Sequence, residues 1–319
     1  MYEGLLQSSE ITLMDCCSLK RFEKLLIICD PLSMEIGSAF FKAAQNRCQE
    51  TVLVVVSPDS RQGRTEFPDS VIEMLRRFDV AVIPLATNLT HSQTKQIASE
   101  HKIRIASFPE ITAEVFSRTM NVDWRKVGVN TRKVAGRLST AKSVRITSGS
   151  GTDFTFQIEE SSISTDDGRL SSEGGFHILP AGQVSFRLLE GTAEGVVAID
   201  SYLSFAMGNP HEVLIFEVKQ GLVSSVKNHR FAPDLEKYFS KYKETARSVC
   251  NLGIGILDTA KASGNLSEEK VALGAVHLTI GKGLPQGVAL GIFPLEAIIS
   301  SCTVYVDGKL LLQNGLFVQ

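Results

Sequence analysis

The 319-residue sequence has no GxGxxG turn, no GxxxxGK[ST] loop and no CxxC pair. Without either glycine-rich cradle there is no backbone nest for a nucleotide's phosphates. No apolar run reaches the roughly 20 residues of a membrane span, so no membrane partner is expected. The formal net charge is only -2 and the pI about 6.3, which excludes the basic footprint of a nucleic-acid binder. The six cysteines are scattered without framework spacing and read as reduced thiols. The opening MYEGLLQSSEITLMDCC has neither the basic head nor the unbroken apolar stretch of a secretory leader. A cytoplasmic protein is therefore expected. Adjacent Cys16 and Cys17 raise a redox reading, against the plainer one of two small buried side chains.

What is present is an apolar content of 43%, enough for two sizeable cores. Between about residues 22 and 142, short β-branched runs (KLLIICD, TVLVVVSP, VAVIPLA, IRIASFP) take turns with amphipathic stretches such as SMEIGSAFFKAAQ. That alternation predicts an α/β domain on a parallel sheet. After residue 142 the grammar is mostly strands, with hairpin turns at Gly221 and Asp307-Gly308 and one helix opened by Pro233. The fold class expected is an α/β domain over 1–142 followed by a β-rich α+β domain over 143–319.

One residue stands out in this second half. His277 lies between Val276 and Leu278, in a run patterned as an interior strand. Two readings stand beside each other: a core histidine bonded to main chain, or a group of a reaction centre. Glu268 and Glu269 precede that run and read as a solvated turn pairing loosely with Lys270, or as a pocket rim. Asp30, after the first strand, reads as a turn cap rather than a ribose contact. Between Thr152 and Asp153, which alternation sends to opposite faces, Asp153 is the likelier to face a site, with turn capping as its default. Cys250 beside Asn251 suggests a nucleophile, but alternation turns it away from whatever Asn251 faces. Tyr202 and Phe205 read mainly as core.

The phrases GSGTDFTFQI, LPAGQV, LEGTAEGVVAID, NLGIG, SEEKVALGAVHLTIG and TVYVDGK occur in an order that resembles the aminopeptidase T family. That family of metallopeptidases has the iron-dependent 2,5-dihydroxypyridine dioxygenases among its relatives. The resemblance spans essentially the whole chain and implies two domains, a homodimer and metal ligands drawn from the second domain. Where the peptidases carry two glutamates, this chain has Gln183 and Asn251. The histidine is kept as His277. The family's His-x-Asp pair falls on Pro294-Leu295-Glu296, and no histidine follows 277.

Two divalent ions need several carboxylates to offset lost hydration, and too few remain. The resemblance, so altered, implies no resident cofactor, or a single divalent ion (Zn, Mn or Fe) on His277, Glu296 and His177. The catalytic set it implies is His277, Glu296, Gln183 and Asn251, with His277 near its working pKa. The function expected is an enzyme with a remodelled site acting on a small polar, amide-containing or peptide-like substrate. A non-catalytic ligand-binding or dimerising protein of the same fold is the alternative.

Overall fold

The computed structural model describes residues 2–57, 67–86, 92–206, 210–282 and 294–318. They form two compact units, Met1–Lys126 with Asp167–Ala181, and Val127–Asp166 with Gly182–Gln319.

The first unit is built on the expected parallel sheet. Strands β1 (Lys24–Cys29), β2 (Glu50–Val55), β3 (Val80–Pro84) and β4 (Arg104–Phe108) lie in the order β2-β1-β3-β4, and β8 (Phe176–Ile178) joins in parallel beside β4. Every residue of β3 and β4 is buried, as befits apolar runs with both sheet faces covered. Helices α1 (Tyr2–Ile11), α2 (Met34–Ala44), α3 (Asp69–Leu75), α4 (Ser92–His101) and α5 (Ala113–Met120) complete it. In α2 the spacing of Ile36, Phe40 and Ala43 buries one stripe. Thr112 caps α5, its hydroxyl accepting from the Val115 amide at 3.3 Å.

Asp30 is the turn cap foreseen. Its carboxylate accepts from the Leu32 and Ser33 amides at 3.1 and 2.9 Å and from Ala86 N–H at 2.9 Å. Cys16 and Cys17 are both buried and unbridged, and burial pushes the Cys17 thiol up to about 12, which does not suit a redox thiolate.

The division does not fall at residue 142. Helix α6 (Trp124–Leu138) sends Val134 and Leu138 into the core of the second unit, so the chain from Val127 onward belongs there. Residues 167–181 return to the first unit because β8 pairs with β4, His177 opposite Ala106. His177 is therefore a strand residue.

The second unit contains two antiparallel sheets. One has the order β13-β12-β10-β6-β5-β17-β18-β19. Its strands are β5 (Val144–Thr147), β6 (Asp153–Phe156), β10 (Glu194–Ile199), β12 (Leu214–Lys219), β13 (Leu222–Lys227), β17 (Thr303–Val306), β18 (Lys309–Gln313) and β19 (Leu316–Phe317). The β12–β13 and β17–β18 hairpins turn at Gln220-Gly221 and Asp307-Gly308, all four with positive φ, the backbone of a type I′ turn. The other sheet runs β11-β16-β15-β14-β9-β7. It comprises β7 (Ser164–Asp166), β9 (Gln183–Arg187), β11 (Tyr202–Leu203), β14 (Val249–Gly255), β15 (Val276–Ile280) and β16 (Leu295–Ile299).

Phe154, Phe156 and Phe216 of the first of these sheets share one core with Val184, Phe186, Leu252, Ile254, Leu278 and Ile299 of the second. Helix α7 (Ala232–Arg247), with Pro233 in its first turn, adds Leu235 and Phe239 to that core. Residues 266–271, expected to be a turn running into a strand, form a short helix α8 (Leu266–Val271) instead. Asn265 starts it by accepting from the Glu268 amide at 3.0 Å.

Candidate functional site

Register decides which side chains meet. Residues directly paired across antiparallel strands point to the same side of a sheet. Glu296 pairs with Thr279, Thr279 with Asn251, and Asn251 with Arg187, a row across β16, β15, β14 and β9. A second row holds Ile298, His277, Gly253 and Ser185, and Gly255 pairs with Gln183 beyond it. Gln183, Asn251, His277 and Glu296, from four segments far apart in sequence, thus share one face. The opposite face carries Val184, Phe186, Leu252, Ile254, Val276, Leu278, Ala297 and Ile299 into the core. A bulge between Val249 and Asn251 keeps Asn251 in this register and breaks the alternation at Cys250. The Cys250 thiol donates to the Ser248 carbonyl at 3.3 Å.

His277 lies under α8 and is 6% exposed. Its ring covers the α-carbon of Gly253: a Cβ there would sit 2.0 Å from the ring's Cε1. Only glycine permits that approach. Burial, with the nearby Lys270 charge, drives the imidazole pKa down to about 3, against the opposing hydrogen bond that the ring donates to the Lys270 main-chain carbonyl. His277 is accordingly neutral at physiological pH, not a proton shuttle near its working pKa. Its Nδ1 is buried without a hydrogen-bond partner.

The Lys270 ammonium forms an ion pair with Glu296 Oε2 at 2.9 Å, outside hydrogen-bond geometry, and the Thr279 hydroxyl donates to Oε1 at 3.2 Å. The Glu296 amide donates to Ser204 Oγ at 3.0 Å. Gln183 Oε1, like His277 Nδ1, is buried and unpartnered. Buried polar atoms are nearly always satisfied, so these two atoms stand out on one sheet face, beside Glu296 Oε2, which has an ion-pair contact but no hydrogen bond.

Glu268 and Glu269 are 0% and 2% exposed, which overturns the solvated-turn reading. Glu268 accepts from Lys261 N–H at 3.1 Å and the Ser263 hydroxyl at 2.6 Å. Glu269 accepts from the Ser263 and Gly264 amides at 3.1 and 2.7 Å and from the Ser201 hydroxyl at 2.5 Å. Together they tie the loop before α8 to the helix. Asp153 is a surface residue held bidentately by Arg145, both contacts at 2.8 Å, and does not face the site.

A model of the 2,5-dihydroxypyridine 5,6-dioxygenase (NicX) family matches residues 8–277. The chain belongs to this family. No curated protein sequence matches the chain. Its structure is similar to 2,5-dihydroxypyridine dioxygenase from Pseudomonas putida KT2440, with a TM-score of 0.76 and 18% identity over 100% of this chain and 98% of that one. It is also similar to AmpT from Thermus thermophilus, with a TM-score of 0.71 and 13% identity over 99% of both chains. At such identities the likeness is one of fold. The family match places the chain with the dioxygenases within the broader resemblance to aminopeptidase T.

The iron that the dioxygenase resemblance implies finds a poor set of donors. Of the positions concerned, Asn251 and Pro294 offer no anion and no imidazole, and the one carboxylate, Glu296, is already neutralised by Lys270. Among the described residues, no three His, Cys, Asp or Glu side chains gather closely enough to hold a metal ion. The residues present do not fit the metal.

Sequence reasoning missed Lys270, Thr279 and Gly253. The Glu-Glu-Lys run was legible as charge but not as the end of a helix folded over the sheet. The glycine opposite His277 carries no signal until register pairs them.

Proposed function

We propose that this family member binds a small polar molecule, with amide or hydroxyl groups on a compact frame, without a metal ion. The observation that carries this reading is that two uncharged amides, Gln183 and Asn251, share a sheet face with His277 and Glu296, at positions where the resemblance to the aminopeptidases implies carboxylates. Amides keep donors and acceptors while removing the charge that divalent ions require. The Lys270–Glu296 ion pair then supplies the charge on that face, and the neutral imidazole acts as a hydrogen-bonding wall. The depressed pKa of His277 favours a second reading, binding without turnover, because a base that protonates only near pH 3 moves no protons at pH 7.

The test is titration calorimetry with 2,5-dihydroxypyridine and with pyridine amides, beside oxygen-uptake assays in the presence of Fe2+. Saturable binding, weakened at least tenfold in Gln183→Ala or Asn251→Ala, and no iron-dependent oxygen uptake are expected. Stoichiometric iron with ring opening of 2,5-dihydroxypyridine would refute the reading. Recovery of the bound compound unchanged, by mass spectrometry, separates binding from turnover.

A further inference from the structure

Lys270 touches both places where a metal-binding type of side chain survives. Its ammonium is 2.9 Å from Glu296 Oε2, and its main chain hydrogen-bonds the His277 ring. The side chains of Lys270 and Glu296 are only 25% and 20% exposed, so the pair is largely withdrawn from water. We propose that the Lys270 ammonium takes the place of the family's metal ion as the resident cation of the site. The proposal deepens the metal-independent reading and names the residue responsible for it.

The lysine is delivered there by a fixed scaffold. Asn265 caps α8, and the buried carboxylates of Glu268 and Glu269 bind the loop ahead of it. Past the helix, the Ala272 carbonyl presses onto Gly255 so closely that a Cβ there would lie 2.1 Å from its oxygen. Main-chain bonds from Leu257 N–H to the Val271 carbonyl at 2.8 Å and from Gly274 N–H to the Gly255 carbonyl at 3.1 Å tie the end of the helix to β14 and the residues after it. On the sheet face Lys270 balances Glu296, while Gln183, Asn251 and the imidazole are neutral; the Glu268 and Glu269 carboxylates are taken up by loop amides and hydroxyls. A divalent ion entering beside the ammonium would meet a like charge and no free anion. An ammonium offers hydrogen-bond donors and a compact charge rather than coordination positions, so a ligand oxygen would be held by donation from Nζ.

The test compares the wild type with three variants: Gln183→Glu/Asn251→Glu, the same pair with Lys270→Met, and the same pair with Lys270→Arg. Each is dialysed to equilibrium against Zn2+ and, anaerobically, Fe2+, and bound metal is counted by emission spectrometry. Expected are no retained metal in the wild type and at least tenfold tighter binding in the Lys270→Met triple variant than in the double. The Lys270→Arg triple should behave as the double does. Equal affinity in the double and the Lys270→Met triple would overturn the cation exchange and leave the metal-independent reading standing. One equivalent of metal in the wild type, lost in His277→Ala, would overturn both.

Should the glutamate variants fail to fold, thermal unfolding of Lys270→Met, Glu296→Gln and their combination decides the matter. Lys270→Met alone should lower the melting temperature and the combination recover most of the loss, because removing both charges leaves none unpaired. Absence of that recovery would overturn the proposal.

Discussion

The parallel sheet of the first unit and the six-stranded sheet of the second meet their surroundings in opposite ways. Along β3 and β4 every side chain is buried, while along β9 burial alternates with every residue. The first unit's buried ion pair is complete. Arg104 grips Glu23 with contacts of 3.0 and 2.7 Å and adds a bond to the Cys17 carbonyl at 3.2 Å. On the six-stranded sheet the polar face is incomplete, with an imidazole nitrogen and an amide oxygen left unpartnered. A sheet covered on both faces has no place for chemistry on them. A half-covered antiparallel sheet can turn one face to a core and the other to a ligand.

The contrast can be broken most severely in the first unit. Glu23→Ala leaves the Arg104 guanidinium buried and unpaired, and should cost about 3–5 kcal/mol in urea unfolding while leaving ligand titrations at the other unit's sheet unchanged. Burial alone would raise the Glu23 carboxyl, but the Arg104 guanidinium outweighs it and holds the group below its ordinary value. This contribution is present above the unfolded pKa and fades as pH falls through the folded one.

In the second unit, Gly253→Ala drives a methyl group into the His277 ring. About 1–3 kcal/mol of stability should go, together with ligand binding, because the buried ring already occupies the space the methyl group needs. A cost near zero would show that the ring is not clamped. The smallest effect is one of pH. The folded pKa of His277, about 3, lies below its unfolded value near 6.5, so the unfolded chain takes up the extra proton between them. Stability is full above pH 6.5 and declines as pH falls, by about 1 kcal/mol between pH 7 and 5.5. His277→Asn should flatten that slope, and an unchanged slope would place the loss elsewhere.

Much of the architecture was legible in the pattern of residues. The parallel strands, the two hairpin turns and the Pro233 helix follow from local periodicity and from residues that tolerate positive φ. The domain boundary did not, because α6 carries the same amphipathic signal whichever core receives it. Residues 266–271 misled for a related reason: a six-residue helix has too short a period to outweigh the strand-like run after it. The burial of Glu268 and Glu269 was illegible as well, since their partners are main-chain amides and hydroxyls that any loop contains.

From the sequence alone came the kinds of side chain available: one retained histidine, two amides where carboxylates were expected, and a glutamate in place of an aspartate. These are chemical identities, and no folding is needed to count their charges. That Gln183, Asn251, His277 and Glu296 share a face, that Lys270 spans two of them, and that His277 stays neutral were decided only in three dimensions. Strand register and the closure of α8 over the sheet set distance and dielectric, and those two quantities turn a list of residues into a site.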